Sequence, residues 1–390
     1  MSRPGRSKRP VIICFAGDVW EGRPHSRHHL MRRLAGDYEV LWIDGAFVRS
    51  LSRLDRGQWQ QLLRKLRGFS LRTVEPHLHV LRPLPIPPAG RLGRQIWLKA
   101  LAVQVRLALR WLRLGGGRLT WFSLPTVAPL LGRLGEEASL FYYQDRYDEF
   151  PHVDVGQLRG DIRALAQGCD ACVASAGPLA EDLRAHGVEA VVVRHGVDVS
   201  RFAGDPDPPE DLAALERPLV GYVGRVGDHM WQEAVVAVAD RLEHGTVVLV
   251  GDASTDLSAL RHPRIRLLGH RPAASMPAYV AAFDCCMIPF IQDRLTEAVN
   301  PIKLREYLGA GRPVVATPLP EVATYADVVS LAGSPEAFGT AVMEILDDPD
   351  ADSDEKRERR RARVAGETWD AAATRVAGVL EPLLPPWRGG

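Results

Sequence analysis

The chain has 390 residues, 46% of them hydrophobic, which is enough for two cores of ordinary size rather than one. Lys plus Arg (49) balances Asp plus Glu (48) to a net charge of +1, so no chain-wide basic field argues for nucleic acid as a partner. Cysteine is scarce, and no uninterrupted apolar run reaches the length of a membrane span. Cys169 and Cys172 form a CxxC by spacing, but no second pair or histidine cluster accompanies them, which argues against a metal or redox role. The start, MSRPGRSKRP, is basic and lacks the apolar segment of a signal peptide. A cytoplasmic location is expected, with peripheral contact at the inner face of the plasma membrane as a further expectation.

VIICFA, residues 11 to 16, reads as a first buried parallel strand. Gly17 and Asp18 follow it, then Trp20, and a helix is expected from about Ser26 to Leu34. The loop is not GxGxxG, so a dinucleotide fingerprint is missing. Trp20 either covers a ligand or fills the core. HSRHHLMRR places His25, Arg27, His28 and His29 at the helix start, where a ligand could reach them and a histidine could serve as a base or hold a phosphate, or where they simply lie on a solvated face. EVLWIDG is a second strand. Residues 50 to 70 read as arginine-rich and partly helical, with an apolar stripe suited to the core or to a membrane surface. LHVLRP is another strand, and a long basic amphipathic helix runs from about Arg91 to Leu114, a crossover helix or a membrane-docking one. LTWFS, LFYYQ and ACVAS are further strand signals separated by helical segments, the pattern of an open, mostly parallel sheet. After LFYYQ comes QDRYDEFPH, where Asp145, Asp148 and Glu149 either meet an acceptor hydroxyl or cap a helix.

Residues 203 to 217 are acidic and proline-rich and read as a hinge. PLVGYVG restarts the strand pattern. Gly224, Arg225 and Gly227 follow, and Asp228 is placed to cap a helix from about His229 to Leu242, which makes Arg225 the strongest single phosphate candidate. TVVLVGD, IRLLGHR, DCCMIPF and PVVAT are successive strands. Asp252 and His270 lie just past two of them. In NPIKLREYLGAGRPVVATPLPE, Lys303 and Glu306 sit three apart on one helix, which ends at Gly309 and Gly311 before a short strand. Two similar α/β domains joined by a proline-rich hinge imply a ligand cleft.

With these segments in order, VVVRHGVDVSRF, GYVGRV, VGD, LLGHR, YVAAFDCCMIPF, NPIKLREYLGAGRPVVATPLPEV and ETWD, the chain resembles a retaining GT-B glycosyltransferase of the group-1 type. It is most similar to bacterial enzymes of cell-wall, teichuronic-acid and exopolysaccharide synthesis. The resemblance implies an α/β fold of two Rossmann-like domains facing across a cleft: an acceptor domain over 1–202, a hinge over 203–217, a nucleotide-sugar domain over 218–368, and a segment over 369–390 that returns to the first domain. It implies transfer of a sugar from a nucleoside diphosphate sugar to a glycan, lipid-linked or small-molecule hydroxyl with retention of configuration, and no obligatory metal or other cofactor. By resemblance, Gly224, Arg225 and Lys303 meet the diphosphate and Glu306 holds ribose or donor hydroxyls. Asp252, His270, Pro301, Ile302 and Leu304 frame the donor pocket. The chain departs from the pattern at two points. Ala298 stands where the first acid of a paired-glutamate motif is expected, with Glu297 one place out, and the lysine expected after Arg225 is missing from GRVGDHMWQE. No counterpart fixes the catalytic group of the first domain, so Asp18, His28, Asp145 and His152 are all carried as catalytic candidates beside Arg225 and Lys303. Other readings are a nucleotide-sugar epimerase or hydrolase, and a non-catalytic protein that binds nucleotide sugar or membrane.

Overall fold

A computed structural model describes residues 7–22, 24–45, 69–84, 90–150, 153–204 and 206–387. The chain forms two compact units. The first comprises Met1–Ser175, Leu179–Val193 and Ala373–Gly390, and the second Ala176–Pro178 and Arg194–Ala372. The change of unit therefore comes at Val193/Arg194, and the proline-rich stretch 203–217 falls inside the second unit.

In the first unit the central strands are β1 (Val11–Phe15), β2 (Glu39–Ile43), β3 (Ser70–Glu75), β4 (Leu78–Arg82), β5 (Arg118–Phe122), β6 (Ala138–Tyr143), β7 (Ala171–Ala174) and β8 (Val191–Val192). Their order across the sheet is β3-β4-β2-β1-β5-β6-β7-β8. All neighbours are parallel except β3 and β4, which pair antiparallel at the edge. The helical stretch expected over 50 to 70 lies outside the described residues as far as 68, and from Ser70 the chain is this edge strand. β1, β2 and β6 are buried at every position. That explains why apolar residues dominate them: a strand covered on both faces has no polar side to alternate with. Helix α1 (Ser26–Leu34) follows the loop after β1, and helix α2 (Gly90–Trp111) crosses back to β5. The strand order reverses between β1 and β5, so the loop carrying Gly17 and Asp18 leaves the sheet at a topological switch point. The C-terminal segment is tied into this unit by Tyr38, which donates to the Leu384 carbonyl at 3.1 Å, and by Trp387 N–H to Asp37 O at 3.2 Å.

The second unit is a six-stranded parallel sheet of order β11-β10-β9-β12-β13-β14, built from β9 (Leu219–Val223), β10 (Thr246–Val250), β11 (Ile265–Gly269), β12 (Cys285–Ile288), β13 (Val314–Ala316) and β14 (Ser330–Leu331). Here the reversal lies between β9 and β12. Phe283 packs directly on β9, and a Cβ at Gly221 would stand 2.0 Å from its ring, so only glycine fits there. The helix after β9 is α3 (Gln232–Arg241), with Trp231 at its N-cap. It does not begin at His229 under an Asp228 cap. The cause is local: Trp231 N–H is taken by Pro289 O at 2.8 Å and Met230 N–H by Gly227 O at 2.9 Å, which hold 227–231 as a loop across the end of β12. Helix α4 (Ile302–Gly309) enters from Pro301 and ends before Gly311, whose φ of 79° needs glycine.

All five cysteines are free thiols. Burial raises the pKa of each, including Cys169 and Cys172, so none carries thiolate character near neutral pH.

Candidate active site

In the second unit the switch point gathers a compact polar cluster. β9 ends at Val223, and Gly224 follows at φ 149°, a conformation open to glycine and little else. Tyr307 of α4 accepts a hydrogen bond from Val223 N–H at 2.8 Å, which latches the helix to the end of the strand. One turn earlier Lys303 lies on the same face. Its Nζ donates to Tyr222 Oη at 2.8 Å and stands 4.4 Å and 4.8 Å from the ring centroids of Tyr222 and Phe290. A Cβ at Gly224 would come within 2.6 Å of that nitrogen, so the glycine leaves the space the ammonium fills. Tyr222 Oη donates in turn to Arg225 O at 2.9 Å and lies 3.3 Å from His229 Nε2. With His229 in its Nε2–H form, all three contacts to the phenol oxygen are satisfied at once. Burial, followed by Lys303 and Arg225, pushes His229 down to about 4, so it is a neutral imidazole. Arg225 is exposed, and no described residue pairs with its guanidinium.

The remainder of the NPIKLREY stretch builds the frame. Asn300 donates to Glu321 at 3.0 Å and accepts from Arg305 at 2.6 Å, while its carbonyl meets His195 Nδ1 at 3.0 Å. Arg305 also bonds Glu367 at 2.6 Å. Glu321 further accepts from Gly177 N–H at 2.7 Å and Arg194 at 2.6 Å. His195 is thus part of the clamp that sets where α4 starts. Pro301 is the N-cap of α4, Leu304 is buried in the core and Ile302 is half-buried. Glu306 is half-buried, about a sixth of a turn round the helix from Lys303. Tyr307, one position further on, lies about 40° from Lys303 and makes the contact with the end of β9. Ala298 is buried at 1% exposure, so that position presents no acid, and its neighbour Glu297 is exposed. Past β10 and β11, Asp252 and His270 pair at 3.2 Å with both side chains largely exposed. Gly251 is held against the loop, since its Cβ would lie 1.9 Å from Gly224 O.

In the first unit the loops after β1 and β6 bring together Asp18, Arg27 and Asp145. Arg27 of α1 pairs with Asp18 at 2.5 Å, both mostly buried. The same guanidinium acts electrostatically on Asp145 and Tyr147. Burial pushes the Asp145 carboxyl up to about 6; Arg27 pulls it down and Asp18 pushes it up. Asp145 is therefore a carboxyl poised to exchange a proton near neutral pH. In the sequence Arg27 reads only as one of several cationic groups at the helix start; its pairing with Asp18, from the loop after β1, appears only in the fold.

His28 is placed differently from its expected role. It is 1% exposed, its Nδ1 accepts from His25 N–H at 3.0 Å and its Nε2 meets Val19 O at 3.3 Å. The Trp20 and Trp42 rings lie 5.1 Å and 4.6 Å away. Burial holds it down to about 4. The ring is a core fixture with both nitrogens engaged, and Trp20 is core as well. Asp148 pairs with Arg159 at 2.9 Å. His152 lies outside the described residues. Among the described residues no group of three or more His, Cys, Asp or Glu is arranged to hold a metal ion.

Residues 217–348, which carry the Lys303 cluster, match the family model described as glycosyl transferases group 1. The second unit holds a group 1 glycosyl transferase domain. A curated Bacillus subtilis protein, TuaH, named as a teichuronic acid biosynthesis glycosyltransferase, is 30% identical over 135 residues, covering 33% of this chain. The match spans 34% of the length of that relative. Among solved structures, sucrose-phosphate synthase from Thermosynechococcus elongatus superposes with a TM-score of 0.68 at 16% identity, covering 96% of this chain and 99% of that one. HepE from Anabaena, in complex with UDP-glucose, superposes with a TM-score of 0.66 at 14% identity, covering 96% and 99%. The chain has the GT-B fold.

Proposed function

We propose that the protein is a retaining glycosyltransferase that moves a sugar from a nucleoside diphosphate sugar to an acceptor hydroxyl. The observation that carries this is the Lys303 ammonium, fixed by Tyr222 and Phe290 against Gly224 at the switch point of the group 1 domain, with the exposed guanidinium of Arg225 one residue further on. Breaking the bond between the sugar C1 and the diphosphate oxygen leaves negative charge on the diphosphate. The Lys303 ammonium, held before reaction, and the nearby Arg225 guanidinium stabilise that charge more in the transition state than in the ground state. The acceptor oxygen forms the new bond to C1 on the same face and gives up its proton. To Asp145, beside Arg27 and Asp18 in the first unit, we assign the handling of acceptor protons. Glu306 is assigned to ribose or donor hydroxyls. The UDP-glucose bound in the HepE structure makes uridine nucleotides the first donors to try.

The test is mass-spectrometric screening of the purified protein against nucleotide sugars, with and without extracts containing glycan, lipid-linked and small-molecule acceptors. Donor-dependent addition of one sugar mass, with the α- or β-linkage of the donor kept, is the expected result. Arg225→Ala lowers turnover at least about tenfold, about 1.4 kcal/mol of transition-state stabilisation. Free sugar released at full rate without acceptor reassigns the protein as a hydrolase, and inverted product linkage removes the retaining mechanism.

A further inference from the structure

Helix α2 is apolar on two faces. One is the expected core face, with Trp97, Leu98, Leu101, Val105 and Leu109 all at 5% exposure or less. The other points outward and carries Leu92, Ile96, Val103, Leu107 and Trp111 at 70%, 52%, 50%, 56% and 74% exposure. At the helical period the first four of these fall within an arc of roughly 60°, with Trp111 at its margin. These five include the most exposed large apolar side chains of the described residues, and they form one stripe on one element.

The polar residues on the same arc are all cationic. Lys99 and Arg110 are exposed within the stripe, and Arg106 flanks it, its guanidinium turned to the Arg133 carbonyl. The sequence of the helix, GRLGRQIWLKALAVQVRLALRW, contains no Asp or Glu. Arg94, further round, is already paired with Asp161 at 2.6 Å. Leu84, 41% exposed, sits beside the helix through its N–H to Gln104 at 2.7 Å and widens the apolar surface. A helix of ~33 Å with a large apolar side chain on nearly every outward turn, a tryptophan at one end and cations among them has the composition of an interfacial helix. It is not a spanning one, as no helix among the described residues is long and apolar enough to cross a membrane.

We propose that this face of α2 docks on an anionic lipid surface, with the stripe entering the boundary between headgroups and acyl chains and Lys99, Arg106 and Arg110 meeting phosphate. The charge decides for a membrane over a second copy of the chain: two such faces brought together oppose cation to cation without one acid between them, whereas an anionic leaflet attracts every one of these residues. The proposal does not rest on the glycosyl transfer reading, since no residue of α2 belongs to the site described above.

The test is flotation of the full chain with vesicles of phosphatidylcholine alone and of phosphatidylcholine containing about one-third phosphatidylglycerol. The expected result is capture by the anionic vesicles, weak capture by the neutral ones, and loss of capture as salt is raised. Lys99→Glu with Arg110→Glu lowers the partition coefficient at least about tenfold, since each cation near such a surface is worth about fivefold. Leu107→Ser with Trp111→Ser lowers it at least about tenfold as well, because both side chains leave water only on docking. All four positions are solvent-facing, and an unchanged far-UV circular dichroism spectrum and melting temperature separate lost docking from lost folding. Three results overturn the proposal: no capture of the wild-type chain, capture of the Leu107→Ser, Trp111→Ser chain equal to wild type, or a wild-type dimer in sedimentation that these substitutions dissociate while vesicles capture neither.

Discussion

Replacing Lys303 with methionine isolates the charge at the switch point. Methionine keeps the length and the contact with the Tyr222 and Phe290 rings, and loses the ammonium and its 2.8 Å bond to Tyr222 Oη. Loss of the cation–ring attraction removes about 1–2 kcal/mol of folding stability, and the retained packing offsets part of that. The effect on turnover is larger. A unit charge at ~4 Å from a phosphate oxygen interacts by about 4 kcal/mol at an effective dielectric of ~20. Only the part gained as the leaving group becomes more negative counts, and a single preorganised donor of this kind is typically worth about 100- to 1,000-fold. The ammonium is already positioned, with Tyr222 fixed by Arg225 O and His229, so little is spent on ordering it. The expected fall in kcat/KM is on the order of 100-fold, about 2.7 kcal/mol. Nucleoside diphosphate release in the presence of donor and acceptor measures it, beside a calorimetric melt. A Lys303→Met protein that melts near wild type and keeps its kcat/KM refutes the assignment of this lysine to the diphosphate.

Three further outcomes follow from the same geometry. Gly224→Ala forces a Cβ onto a residue at φ 149° and to within 2.6 Å of the Lys303 nitrogen, so it should lower stability by about 1–3 kcal/mol and kcat/KM at least about tenfold; a scan and a rate that both match wild type count against the packing described. Asp145→Asn should abolish the limb near pH 6 in the pH profile of kcat/KM, because the carboxyl held up to about 6 is its source, and a limb that persists assigns the proton transfer elsewhere. Unfolding in urea should show stability falling from about pH 6.5 toward pH 4. His28 and His229 are held at about 4 against an ordinary 6.5, so the unfolded chain binds protons in that window that the folded chain does not. Asp145 opposes this, retaining a proton in the folded state between its ordinary 3.8 and about 6, but it is one group against two. Equal midpoints at pH 7 and pH 5 contradict the burial assigned to the two rings.

The sheet was legible because its strands are buried on both faces. VIICF, EVLWI, LVGYV and TVVLV are dominated by apolar residues without polar alternation, and each is a strand at those positions. Strand β3 was not legible, since SLRTVE is half-buried at an edge and its polar residues read as a continuation of the charged stretch before it. The helix after β9 was placed three residues early because Asp228 looks like a cap, and nothing local reveals that the Pro289 carbonyl claims the Trp231 N–H. Histidines misled for a related reason. A residue type says that a ring can titrate, but whether it does depends on what packs around it, and Trp20 and Trp42 come to His28 from two separate segments.

The candidate donor site was legible by residue and hidden by contact. Lys303 and Arg225 stand out in sequence as cations beside glycines near strand ends, yet the groups that hold the lysine, Tyr222 and Phe290, read as ordinary core aromatics. Lys303 and Tyr222 are 81 positions apart, and only the strand order, with β9 beside β12, makes them neighbours. The same contact bears on the two departures from the family pattern. The neighbourhood after Arg225 where a lysine was expected holds His229 and Trp231, and His229 is neutral and shares its phenol partner with Lys303. A second cation therefore still reaches the end of β9, but from α4 rather than from the loop. The Ala298 departure has no such answer. That side chain is buried, so the donor hydroxyls an acid there would hold fall, on this reading, to Glu306 alone. A donor gripped firmly at its diphosphate and loosely at its sugar should tolerate changes in the sugar better than changes in the phosphates. Comparing inhibition by nucleoside diphosphate and nucleoside monophosphate against turnover of epimeric sugars separates the two grips. A large loss on removing one phosphate beside small losses between epimers is the expected pattern, and the reverse order places the main contacts on the sugar and away from Lys303.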